Sequence, residues 1–235
     1  MDINYVDGNC ITEQSMVVEI MLGLCLPKAV YISDESRRTC ECIISECIEL
    51  LRSHYCIDAF HPSRIIIHFT MDEKFLKLKA PIFGASCCVD NHLTIVIVSG
   101  IQMSLFRRVF MHEYIHICRL SLRNIITQAA YLEHIKCSLS VLYEEIVAIS
   151  FEKYLLNCSW KEVSNISYNK IWEQWDSYGL YKLYNNANYL KKLDSPSKIV
   201  YFANYIAKSF VKEVDLLKLF NMNHLEGLSY LYKKA

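Results

Sequence analysis

VFMHEYIHIC, residues 109–118, sets two histidines four positions apart in a run whose only charged residue is Glu113. On a helix, residues four apart lie on one face, one turn from each other, so the imidazoles of His112 and His116 can reach a single cation. Neutral imidazole nitrogens bind Zn²⁺ at about 2.0–2.1 Å. Glu113 stands beside the first histidine, where its carboxylate can reach a metal-bound water, take a proton from it and deliver that proton to a leaving amine. Val109, Phe110, Met111, Tyr114, Ile115, Ile117 and Cys118 are uncharged. A metal-bearing helix in a core needs that, because a stray charge would compete for the ion or be costly to desolvate. The competing reading is a core helix whose histidines are satisfied by nearby carbonyls, with Glu113 at the surface.

Working back along the chain, LTIVIVSG (93–100) is β-branched and ends at Gly100, so it reads as a strand running directly into the histidine helix. GASCCVD (84–90) reads as its hairpin partner across Asp90-Asn91-His92. RIIIHFT (64–70) is a third strand, before a charged connector that ends at Pro81. Ser33-Asp34 resembles a helix start, and apolar residues at 40, 43, 44, 47, 48, 51 and 55 repeat at helical period. Residues 1–33 stay ambiguous, with Pro27 ending an apolar element. After residue 101 the pattern is helical over 103–122, 124–136, 139–157, 168–192 and 195–220, with Pro196 at a first helical position. Helix, strands, then helices imply an α+β fold: a small mixed sheet packed on the histidine helix, with a further helical region at the C-terminal end. The strand at 93–99, taken as an edge, is expected to align an extended peptide beside the metal. The expected organisation is a core over 1–157 with a helical region over 158–235 packed on the same domain.

Composition bounds the rest. The chain has 235 residues, 53% of them hydrophobic, enough for a sizeable core. Its 25 basic and 25 acidic side chains cancel, and no basic face favours nucleic acid. The 11 cysteines are odd in number and mostly sit inside apolar patterns, so they read as reduced thiols in a reducing compartment. No cleavable signal is visible, and MVVEIMLGLCL carries Glu19 and is too short to span a bilayer. The expectation is a cytoplasmic protein, or one delivered into another cell's cytosol, without a membrane partner.

The stretch 109–118, with its uncharged neighbours and preceding strand, resembles the active-site helix of the zincin metallopeptidases, and the resemblance extends over residues 60–157. Metzincins would have glycine at 119 and histidine at 122, where this chain has Arg119 and Leu122. Gluzincins draw a glutamate from the next long helix. VLYEEIVAISFEKYLL (141–156) is apolar almost all round yet carries Glu144 and Glu145, and Glu145 with Ala148 is similar to the gluzincin glutamate helix. The resemblance therefore implies His112, His116 and Glu145 as Zn²⁺ ligands, with Glu144 the next choice and Glu133 or His134 a competing third donor. It implies Glu113 as the catalytic carboxylate and a tyrosine or histidine facing the oxyanion. Tyrosines 178, 181, 184 and 189 lie in the right region, none singled out. The implied activity is hydrolysis of a peptide bond in a protein or peptide substrate, similar to small intracellular zincins of bacteria and phages. The alternative is a zinc-binding regulatory or interaction module on a zincin scaffold without turnover, for which the aromatic-rich stretch 171–190 would be the recognition surface.

Overall fold

In the computed structural model of the chain, Ser33 caps α1 (Asp34–Tyr55), accepting the Ser36 N–H at 3.2 Å, with Asp34 and Glu35 in the first turn where the helix dipole favours anions. The structure describes residues 1–6, 30, 32–57, 62–69, 84–99, 103–156 and 196–234. They fall in two compact units, Met1–Tyr131 and Leu132–Ala235. The expected boundary at 157/158, the helix at 168–192 and the apolar element before Pro27 lie outside the described residues. The fold is α+β, with a small mixed sheet and, among the described residues, seven α-helices.

The first unit holds the sheet. Its strands are β1 (Asp2–Val6), β2 (Arg64–Phe69), β3 (Gly84–Val89) and β4 (His92–Ser99), in the order β1-β2-β4-β3. β1 and β4 run parallel to β2, and β3 is antiparallel to β4. Asp90 and Asn91 form the hairpin turn with φ of 50° and 59°. Two consecutive positive φ values match the right-handed twist of the strands, and Asn and Asp tolerate them better than most residues. Ile65, Ile66, Ile67, Ile95, Val96, Ile97 and Val98 are all fully buried. That explains the unbroken apolar runs, since strands buried on both faces do not alternate.

One expectation is corrected here, and one strand lies in a stretch the sequence left ambiguous. β1 was not foreseen: DINYV is short, and its partner lies about sixty residues on, at Asp2↔Arg64 through Val6↔His68. The strand at 93–99 is not an edge. β4 has β2 on one side and β3 on the other, so its backbone groups are already committed, and β3 is the edge strand on that side among the described residues.

α2 (Met103–Leu122) packs on β4 and β3, and α1 packs on α2. Phe106, Phe110, Met111, Tyr114, Ile115 and Ile117 on α2 are 0% exposed. Each such side chain contributes about 1.5–3 kcal/mol on burial, so the helix is held by its apolar faces. α2 ends in a left-handed residue, Asn124 (φ 57°), whose N–H bonds to the Ser121 carbonyl while Ile125 N–H reaches back to Leu120. This terminating pattern reverses the chain and delays the next helix, α3 (Gln128–Lys136), past the expected start at 124.

In the second unit α4 (Ser138–Leu156) packs against α5 (Pro196–Phe210), α6 (Leu216–Asn221) and α7 (His224–Tyr232). Leu142, Tyr143, Ile146, Val147, Ala148 and Phe151 are fully buried, as its all-round apolar pattern required. The helix expected over 195–220 instead breaks after Phe210. The backbone extends at Lys212, and a 3₁₀ turn follows at Glu213–Asp215. Buried Asp215 is the reason: its carboxylate accepts the Lys212 N–H at 3.0 Å, the Tyr230 hydroxyl at 2.7 Å and the Lys234 ammonium. Burial alone would push its carboxyl up, but those three donors outweigh it and hold it below the ordinary range. α7 was not expected. It begins at a reciprocal cap between Asn223 and Glu226, and Gly227 lets Tyr143 lie against it, its hydroxyl bonded to the Leu219 carbonyl at 2.7 Å. No described helix is long and apolar enough to cross a membrane. Among the described residues no two cysteines are joined by a disulfide.

Candidate metal centre

His112 and His116 sit on consecutive turns of α2 with their rings 4.8 Å apart at an interplanar angle of 79°. Their Nε2 atoms are separated by 3.2 Å. Two nitrogens bound tetrahedrally at about 2.05 Å would stand about 3.3 Å apart. The separation of the pair is therefore compatible with one shared ion. An N–H···N hydrogen bond between two neutral rings has a similar length, and the two arrangements differ in where the nitrogen lone pairs point. His116 is buried and His112 half-buried.

Glu113 is 8% exposed and faces β3 rather than water. A Cβ added to Gly84 would stand 3.1 Å from its Oε1, 3.0 Å from its Cγ and 2.5 Å from Val109 Cγ1. Gly84 thus opens β3 with the one residue that lets the strand lie this close to α2. Two further groups feel the Glu113 charge. Burial, with added repulsion from Cys88 and Glu113, pushes the Cys87 thiol up to about 12. Burial, then Cys87 and Glu113, raises Tyr131, whose hydroxyl donates to the Ser86 carbonyl at 3.1 Å. Both groups stay protonated at neutral pH. Sequence reading missed Gly84, Cys87 and Tyr131. The single available signal was a glycine opening an otherwise apolar strand.

The remaining candidates lie in the second unit. Glu144 is buried and Glu145 half-buried on α4. Glu133 is exposed on α3 and ion-paired with Lys136, and His134 directs Nδ1 to Ser140 Oγ at 3.1 Å. Cys118, read as core, is 4% exposed. Tyrosines 178, 181, 184 and 189 lie outside the described residues. Comparison with family models, with curated proteins and with solved structures finds no match to this chain.

Proposed function

We propose that this chain is a zinc metallopeptidase of the gluzincin kind, hydrolysing a peptide bond in a protein or peptide substrate. The observation that carries the reading is the His112–His116 pair, with nitrogens 3.2 Å apart and the Glu113 carboxylate on the adjacent position of the same helix. Glu145 is the proposed third ligand. Two imidazoles with one carboxylate are a donor set suited to catalytic Zn²⁺. When bound, the ion would supply a Lewis acid and a water acidified to near neutrality.

The rest falls to the protein. Glu113, held in place by β3, is proposed to accept the proton of the attacking water and return it to the departing amine. The substrate backbone is proposed to pair with β3, because β4 is occupied on both sides. Tyr131 donates to the Ser86 carbonyl of that strand.

The test is metal content and cleavage measured together on the full chain. Wild type should hold one zinc and cleave an unfolded protein substrate. His112→Ala and His116→Ala should lose the metal, and Glu145→Gln should hold it more weakly. Glu113→Gln should keep the zinc and lose turnover by a factor of at least about 10². Zinc retained with no cleavage by wild type would point to a binding module on the same scaffold. Absence of zinc from wild type would remove both readings.

A further inference from the structure

A second cluster of reactive side chains lies within the helical unit and plays no part in the proposed peptidase chemistry. Cys137 Sγ is 3.9 Å from His224 Nε2. The other nitrogen of that ring, Nδ1, is 3.4 Å from Ser140 Oγ, and the same hydroxyl is 3.1 Å from His134 Nδ1. Ser140 is buried, whereas Cys137, His134 and His224 are half-buried. A reagent in water can therefore approach the thiol, while the hydroxyl behind it is shielded.

Proton counting leaves this chain of groups two directions, one of which makes His224 a base toward the thiol. The Ser140 hydroxyl has one hydrogen and lies between two Nδ1 atoms, so it can donate to only one of them. If it donates to His134, it must accept from His224, which fixes His224 as the Nδ1–H tautomer. The lone pair of His224 Nε2 then faces the Cys137 thiol. A nucleophile, a base within reach of it and a third group orienting that base form the arrangement that activates thiols. Cys137 immediately precedes Ser138, and its carbonyl accepts the Val141 N–H, so the thiol stands at the N-cap of a 19-residue helix.

We infer that Cys137 is a nucleophilic thiol, with His224 as its base and Ser140 as the orienting group, forming a site of oxidation by small hydroperoxides. The thiol proton passes to His224 Nε2, and the sulfur attacks one peroxide oxygen. The S–O bond forms as the O–O bond breaks. The departing hydroxide, or the alkoxide of an organic hydroperoxide, takes the proton back from His224, giving a sulfenic acid and water or the alcohol. The sulfur is oxidised by two electrons and the peroxide is reduced by two. Nothing in this inference depends on the peptidase reading.

The experiment uses the full chain and two probes, iodoacetamide in limiting amount and hydrogen peroxide with a sulfenic-acid trap, with modification at each cysteine read by mass spectrometry. Cys42 and Cys56, both exposed, serve as internal references. Exposure alone predicts that they react first. The thiol–imidazole pair predicts that Cys137 reacts at least about tenfold faster than either at neutral pH. His224→Gln and Ser140→Ala should bring Cys137 down to the reference rate and leave Cys42 and Cys56 unchanged. A wild-type Cys137 no faster than Cys42 overturns the inference with no variant needed. So does a His224→Gln protein of unchanged thermal midpoint in which Cys137 reacts as fast as before.

Discussion

Replacing Gly84 by alanine tests whether β3 and α2 are built to hold the Glu113 carboxylate. The new methyl would stand 2.5 Å from Val109 Cγ1, against an ordinary carbon–carbon contact of about 3.5–4.0 Å. Something must move by about 1 Å. Val109 cannot yield by rotating, because a β-branched side chain in a helix has essentially one χ1 rotamer. The strand must therefore shift away from α2, at an overpacking cost of about 1–3 kcal/mol. For a chain of this size that is a fall in thermal midpoint of about 2–4 °C per kcal/mol. The methyl would also stand 3.0 Å from Glu113 Cγ and 3.1 Å from its Oε1, so the carboxylate must give by a few tenths of an ångström as well, and a catalytic group displaced from its reacting position loses rate steeply. The assay pairs a calorimetric melt with zinc content and cleavage of an unfolded protein. The expected result is a lowered midpoint, unchanged zinc and a turnover loss far larger than the unfolded fraction explains. Gly84→Ala with wild-type stability and turnover would refute the close approach. A turnover loss that merely tracks unfolding would refute the positioning role.

Two further outcomes concern the helical unit. Gly227→Ala places a methyl 2.0–2.2 Å from the Tyr143 ring and hydroxyl, displacing a fully buried aromatic and its bond to Leu219, so a loss of about 3 kcal/mol is expected from urea midpoints. Asp215 has its folded-state pKa depressed by its donors. Its contribution to stability is therefore complete above the ordinary carboxylate value of about 3.9 and lost as pH falls through the lower folded value. The midpoint gap between wild type and Asp215→Asn should accordingly be widest near neutrality and close in acid. At the other end, its partner Lys234 is raised: burial lowers it, but the Asp215 hydrogen bond more than compensates. The ion pair's support is thus full below about 10.4 and fades as pH rises through the raised folded value.

Local rules wrote much of this molecule into its sequence. The four-residue spacing of His112 and His116 fixed both rings on one helix face, because helical periodicity is a property of the backbone alone. Ser33 announced α1, the Asp90-Asn91 turn announced the hairpin, and the β-branched runs announced strands. Pairing between distant segments was not legible. β1 is recognised only once β2 lies beside it, and β4 became an interior strand because β2 claimed the side that a hairpin alone leaves open. Glu113 was readable as a carboxylate next to a histidine, whereas its burial against Gly84 and its neighbours Cys87 and Tyr131 depended on how closely the sheet approaches α2. Cys137 and His224 are 87 positions apart, and no spacing rule connects them. Periodicity and capping act within a few residues and can be read along the chain. Which strand is an edge, which charge is buried and which thiol meets which imidazole depend on contacts that exist only after the apolar faces have packed.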